Sequence, residues 1–76
     1  MKISEIKTKL TANESFQVEM MRNPADLAEW VVWVRENDGK SFLLTNEFDV
    51  VLTNTDANQC LLLMRTLGIK QANVVL

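Results

Sequence analysis

The amino-acid sequence predicts an α+β fold: an antiparallel β-meander of about four strands, a short N-terminal helix, a C-terminal helix packed on one face and a final strand that returns parallel. Three observations carry this prediction. β-Branched and aromatic residues fill short runs between positions 30 and 53, and turn residues separate these runs. Apolar residues recur at helical spacing near both ends of the chain. At the end of the chain, Ala72, Val74 and Leu76 alternate with Gln71 and Asn73.

Length and composition predict one small domain that covers residues 1–76. The chain has 47% hydrophobic residues, 24% charged residues and a net charge of −2, as in an ordinary globular protein. It has one cysteine and no long apolar run, and its N-terminal residues MKISEIKTKL lack the apolar region of a signal peptide. We therefore expect a cytoplasmic protein that does not insert into a membrane.

The N-terminal helix is predicted over residues 3–12, where Ile3, Ile6 and Leu10 fall on one side. Ser4 would cap this helix if it started late. A strand is predicted over residues 16–20, because Phe16 begins an alternation of apolar and polar side chains.

Residues 24–34 have two interpretations. Asn23 and Pro24 have the form of a helix start, and apolar residues with helical spacing follow. However, residues 31–34 are four consecutive β-branched or aromatic residues, which lose rotamer freedom in a helix. We predict a helical turn over 24–28 and a strand from Trp30, with a continuous helix as the alternative.

A hairpin loop is predicted at Asn37-Asp38-Gly39, with the glycine at the position of positive φ. A three-residue loop places Val34 opposite Phe42, so that one face is wholly apolar, whereas a two-residue loop mixes polar with apolar residues. A second turn near Asn46-Glu47 would place Leu44 beside Val50 in the same register. The predicted core face is then Trp30, Val32, Val34, Phe42, Leu44, Val50 and Leu52.

The opposite face of the meander is too apolar for a sheet face left in water. Its residues are Val31, Trp33, Arg35, Ser41, Leu43, Thr45 and Val51. Two hypotheses account for it. The N-terminal helix covers this face, or the face binds a partner with Trp33 as its anchor.

The C-terminal helix is predicted to begin after Asp56, which forms a capping-box pattern with Gln59, and to end at Gly68. Its predicted core stripe is Ala57, Cys60, Leu61, Met64 and Leu67. Leu62 falls on the other side, either as an ordinary exposed leucine or as a contact with the N-terminal helix or with a second copy of the chain. The final strand over 72–76 is predicted to run parallel to a strand over 49–53.

Reactive groups are few. The chain has no histidine, which removes the commonest general base and metal ligand, and its two glycines cannot form a phosphate-binding loop. We therefore predict no catalytic residue, no metal site and no cofactor. Glu47 and Asp49 are interpreted as solvated turn residues, and Cys60 as a small buried side chain.

These observations favour a non-enzymatic protein-interaction or regulatory module that self-associates or binds a protein partner. The candidate interface residues are Val31, Trp33, Leu43, Val51 and Leu62. The alternative is a small-ligand or nucleic-acid-binding accessory subunit that uses Lys2, Lys7, Lys9 and Lys40. Nucleic acid is not the expected partner, because acidic and basic residues are interspersed and the net charge is negative.

Overall fold

The computed structural model describes all 76 residues as a four-stranded mixed sheet with two helices. In chain order the elements are α1 (Ile3–Thr11), β1 (Phe16–Asn23), β2 (Asp26–Glu36), β3 (Ser41–Leu43), α2 (Ala57–Leu67) and β4 (Asn73–Val74). The strand order is β3-β2-β1-β4, and only β4 runs parallel to its neighbour. The predicted α+β class, with a short N-terminal helix, a C-terminal helix and a parallel final strand, is confirmed.

One face of the sheet holds the hydrophobic core. β1 and β2 pair along their length, with Val18 opposite Val34 and Met20 opposite Val32, and these four side chains are buried. They form one cluster with side chains from both helices and from the segment after β3, including Ile6, Leu44, Cys60, Met64 and Leu67. Both helices therefore pack on the same face.

The loop between β2 and β3 has the predicted three residues. Val34 lies opposite Phe42, and Glu36 N donates to Lys40 O at 2.8 Å, which closes the loop around Asn37-Asp38-Gly39. Gly39 has φ 90°. The loop and its register are confirmed.

The helical turn predicted over residues 24–28 is wrong, because β1 extends to Asn23 and β2 already begins at Asp26. The Asn23 side chain accepts a hydrogen bond from Ala25 N at 3.0 Å. It therefore forms a tight Asx turn instead of capping a helix, a role for which the same residue types are suited. The strand interpretation of residues 30–34 is correct.

The fourth strand of the meander, predicted over 49–53, is absent as a strand. Only isolated bridges remain, between Thr45 and Val51 and between Trp30 and Asn54. The Asn46 side chain accepts from the backbone N–H groups of Phe48 and Val50, at 2.8 and 3.1 Å. The turn between the two segments takes up two more residues than predicted. Leu52 N therefore donates a hydrogen bond to Leu44 O, and Val50 does not lie beside Leu44.

The changed register explains which predicted core residues lie outside the core. Val50 is 59% exposed and Phe42 is 36% exposed, while Leu52 remains packed against the core. Beyond Leu43 the outer edge of this segment pairs with the N-terminal residues, since Thr45 N donates to Met1 O at 2.8 Å and Ile3 N donates to Thr45 O at 3.1 Å.

The final strand is parallel as predicted, but its partner is β1 and not the 49–53 segment. Asn73 pairs with Glu19, and Val74 pairs with Met20. The edge beyond β2 is already occupied by β3, so the free edge of β1 is the one that a strand can join. α2 carries the chain across the core face to that edge.

α2 begins and ends as predicted, with Asp56 accepting from Asn58 N at 2.9 Å and Gly68 in the left-handed conformation. The side of α2 that faces the core differs in part from the predicted one. Cys60, Met64 and Leu67 are buried, but Leu61 is exposed. Leu63 packs against the core in its place.

α1 begins at Ile3 after Lys2, so Ser4 lies in its first turn and does not cap it. Instead, Ser4 is bound by Glu47 from the distant 46–50 loop. Ser4 N and Oγ donate to the two carboxylate oxygens of Glu47 at 2.9 and 2.8 Å. These hydrogen bonds hold the pKa of Glu47 below its ordinary value. A carboxylate from elsewhere in the chain thus caps α1 at its positive end.

Gly39→Val should destabilise the fold by ~1–3 kcal/mol, because a β-branched side chain is strained at positive φ. A Cβ would meet no atom within 4 Å at this position, so the penalty comes from the backbone and not from a clash. Urea and thermal unfolding measure it, with Gly39→Asn as the control, since Asn tolerates the left-handed region. Equal losses for Val and Asn would contradict this origin.

Glu47→Gln should lower stability at neutral pH and have little effect in acid. The folded pKa of Glu47 lies below the unfolded value, so its contribution is present above the unfolded pKa and is lost as pH falls through the folded pKa. Unfolding curves against pH for this variant and for Asp49→Asn, an exposed carboxylate of the same loop, test the assignment. The same pH dependence in both variants would refute a specific cap.

Candidate functional site

The face of the sheet opposite the core carries no helix. We call it the open face, and it comprises Gln17, Glu19, Met21, Val31, Trp33, Arg35, Ser41 and Leu43, the residues that alternate with the core residues along β1, β2 and β3. The hypothesis that the N-terminal helix covers this face is wrong, because Ile6 of α1 is buried in the core cluster with Val18 and Val34. The apolar side chains of the open face are therefore left without a covering element.

Four of the five predicted interface residues lie together. Trp33 and Leu43 are half-buried neighbours on adjacent strands, and Val51 is half-buried opposite Thr45 at the edge. Val31 is only 1% exposed, so it adds almost no accessible area to this surface. Leu62 is 52% exposed on α2, on the other side of the sheet. The structure therefore separates Leu62 from the other four.

A concavity of about 300 Å³ lies at the centre of the open face. Its lining residues are Glu19, Met21, Pro24, Trp33, Arg35 and Ser41. Trp33 Nε1 is shielded from water and has no hydrogen-bond partner, and it is the one buried side-chain nitrogen or oxygen in this state. Leaving such a donor unpaired costs ~1–3 kcal/mol, so it needs an explanation.

The charged groups beside Trp33 are also incompletely bonded. Arg35 Nε donates to Ser41 Oγ at 3.3 Å, and Arg35 Nη2 lies 3.9 Å from Glu19 Oε1. The second distance is an ion pair but too long for a hydrogen bond. The Glu19 carboxylate and the outer nitrogens of Arg35 thus keep bonding capacity toward the outside of the face.

Sequence reasoning missed Glu19 and Met21 as members of this surface. The period-2 pattern over 16–20 did predict the strand, but nothing local shows that it pairs with β2. Once Glu19 is placed opposite Trp33, its position on the open face follows.

Two of the four lysines proposed for an accessory binding subunit, Lys9 and Lys40, are paired with acidic side chains. Lys9 Nζ bonds to Glu36 at 2.8 Å and to Glu14 at 3.1 Å, and these bonds raise its pKa. Lys40 Nζ lies 3.9 Å from Asp38. These acidic neighbours weaken the attraction of this surface for phosphate groups.

A larger groove of about 530 Å³ lies between α2 and the segment that follows it. Leu61, Met64 and Ile69 give it apolar walls, and Arg65 and Lys70 stand at its rim. No buried side-chain nitrogen or oxygen without a hydrogen-bond partner lies in this groove, in contrast to the open face.

Cys60 faces the core and is 5% exposed. Burial, and secondarily the nearby Asp56 charge, raises the pKa of its thiol. Both effects disfavour the thiolate, which is the reactive form. Its predicted burial is confirmed.

Comparisons with protein-family models, with curated proteins and with solved structures found no match. No helix of the chain is long and apolar enough to cross a membrane.

Cys60 should react with a thiol reagent much more slowly in the native protein than in urea, because labelling requires exposure and deprotonation. Absorbance of the released chromophore follows the rate against pH. Since the folded pKa is raised, the native rate should still be rising at a pH where the unfolded chain has reached its plateau. Native labelling as fast as that of the unfolded chain would overturn this assignment.

Proposed function

We propose that this chain is a non-enzymatic protein-interaction module that associates with a second copy of itself through the open face. The observation that supports this proposal is the position of the helices. Both pack on one face of the sheet, and the other is left with Trp33, Leu43 and Met21 half-buried and uncovered. Single exposed apolar residues are common, but a contiguous apolar sheet face is typical of an interface.

The composition of the open face also suits a protein contact. Aromatic residues are enriched at the centres of interfaces, and Trp33 lies centrally, between Glu19 and Leu43 on the neighbouring strands. A polar rim of Gln17, Arg35 and Ser41 borders it on one side. A single buried cysteine suits a reducing compartment such as the cytoplasm.

The size of the face limits the expected affinity. The eight residues of the open face each occupy ~4.8 Å across the strands and ~6.6 Å along them, which gives a flat area of ~250 Å². Standard interfaces bury ~800 Å² on each partner, so we expect a reversible dimer and not a permanent one. Its population should depend on protein concentration.

Sedimentation velocity over a range of protein concentrations tests the proposal. The wild type should show a monomer–dimer equilibrium, and Leu43→Glu should shift it to monomer, because a buried unpaired charge opposes association. Leu62→Glu adds the same charge on the opposite side of the molecule and should leave the equilibrium unchanged.

The two variants also separate the candidate surfaces. Loss of the dimer with Leu62→Glu alone would place the interface on α2 and contradict the open face. Circular dichroism verifies that each variant is folded, and Met21→Lys, whose long stem can keep its ammonium in water, replaces Leu43→Glu if the latter unfolds. A wild type that stays monomeric up to about 1 mM, where an association of about −4 kcal/mol is half complete, would end the self-association proposal.

A further inference from the structure

We propose that the open face is self-complementary about a two-fold axis, with Glu19 of one copy bound to the partner subunit's Arg35 on each side of Trp33. This inference rests on the proposed function, because it specifies how the two copies meet. It starts from two groups of opposite charge on one small area, the Glu19 carboxylate and the Arg35 guanidinium, which approach each other only to 3.9 Å within the chain.

The two groups are complementary. Glu19 is an acceptor whose one polar contact is the 3.9 Å approach of Arg35, and Arg35 is a donor that bonds only through Nε, to Ser41. At 3.9 Å the two groups of one copy form no hydrogen bond with each other. A second copy brings the same acceptor and the same donor, so each carboxylate can bind the guanidinium of the other chain.

The sheet geometry places these groups correctly for a two-fold contact. Trp33 lies directly beside Glu19 on the adjacent strand, and Arg35 is two residues further along β2. These positions are ~4.8 and ~6.6 Å from Trp33, so Trp33 is nearly equidistant from the acid and the base. A two-fold axis that exchanges the positions of Glu19 and Arg35 must therefore pass close to Trp33.

This arrangement forms the pair between Glu19 and Arg35 twice, once on each side of the axis. With the axis near Trp33, Glu19 of each copy faces the partner's Arg35, and the two indole rings meet at the centre, as a two-fold interface requires. The strands of the two sheets then cross at a steep angle, as in orthogonal sheet packing. The concavity of about 300 Å³ beside Trp33 gives the incoming side chains room to enter.

The Trp33 indole N–H takes no part in this contact. It is shielded from water in the isolated chain, so an oxygen of the second copy cannot reach it either. The contact forms between the charged groups that are accessible, since the side chains of Arg35 and Glu19 are 53% and 25% exposed. A hydrogen bond between two charged groups is stronger than one between neutral groups, so this pairing favours one register over others.

Charge-reversed chains test this pairing, because they separate contacts between chains from the contact within one chain. Glu19→Arg gives a chain with two positive charges at the site, and Arg35→Glu gives a chain with two negative charges. Each variant alone should dimerise at least about tenfold more weakly than the wild type, since like charges then face each other across the axis. An equimolar mixture should regain an affinity close to that of the wild type.

Recovery on mixing is the decisive outcome. The pair within each chain is broken in both variants, so a purely internal role for Glu19 and Arg35 predicts no recovery. Sedimentation velocity and a fluorescence-labelled copy of one variant measure the mixed dimer. The double variant Glu19→Arg/Arg35→Glu restores both kinds of pair and should dimerise like the wild type, which shows that the reversed charges are compatible with folding.

A second readout follows the indole directly. In ¹⁵N-labelled protein with Trp30→Phe, the one indole N–H signal belongs to Trp33. Its chemical shift should change as the concentration rises, because the two indole rings meet at the axis, and Glu19→Gln should reduce this change. A wild type that dimerises while the mixture gains nothing and the indole signal stays fixed would overturn the pairing and leave the proposed function intact. A wild type that never dimerises would end both.

Discussion

The antiparallel pairing of β1 with β2 determines the rest of the structure. Its register puts Val18 against Val34 and Met20 against Val32 on one face, and it puts Glu19 against Trp33 on the other. Because side chains alternate across a strand, these two sets cannot be changed independently. The first set gathers both helices over one core, and the second set defines the open face. A shift of one residue would bury Glu19 and expose the core.

The second constraint is the number of covering elements. Two short helices are available, and a cluster around Ile6, Cys60 and Met64 holds both of them on the core face. Neither helix of these 76 residues therefore covers the other side of the sheet. Small domains bury a low fraction of their surface, and association with a second copy is one of the few ways to bury more. The open face, where Glu19 and Arg35 lie 3.9 Å apart, is the surface that we propose for such an association.

Contacts between residues that are distant in sequence attach the N-terminal helix and the outer edge to the rest of the sheet. Glu47 caps α1 across 43 residues, and the N-terminal residues form the outer edge beside Leu43 and Thr45. Lys9 joins α1 to Glu36 at the end of β2. Each contact is small by itself, but together they join the N-terminal helix to the sheet that it covers. Charged groups thus serve mainly to attach elements around a core made by apolar residues.

The sequence alone determined the features that depend on neighbours in the chain. The loop at Gly39, the start and end of α2, the strand character of residues 30–34 and the α+β class follow from turn chemistry, caps and periodicity, all of which act over a few residues. Only the tertiary structure decided which strand pairs with β4, which face α1 covers and how far the loop at Asn46 extends. These outcomes depend on competition for sheet edges and for buried surface, and no local pattern records that competition. The open face was predicted as an apolar surface, but its Glu19 and its unbonded indole emerge only when β1 is placed beside β2, because the charge that faces Trp33 comes from a strand that is 14 residues away in the sequence.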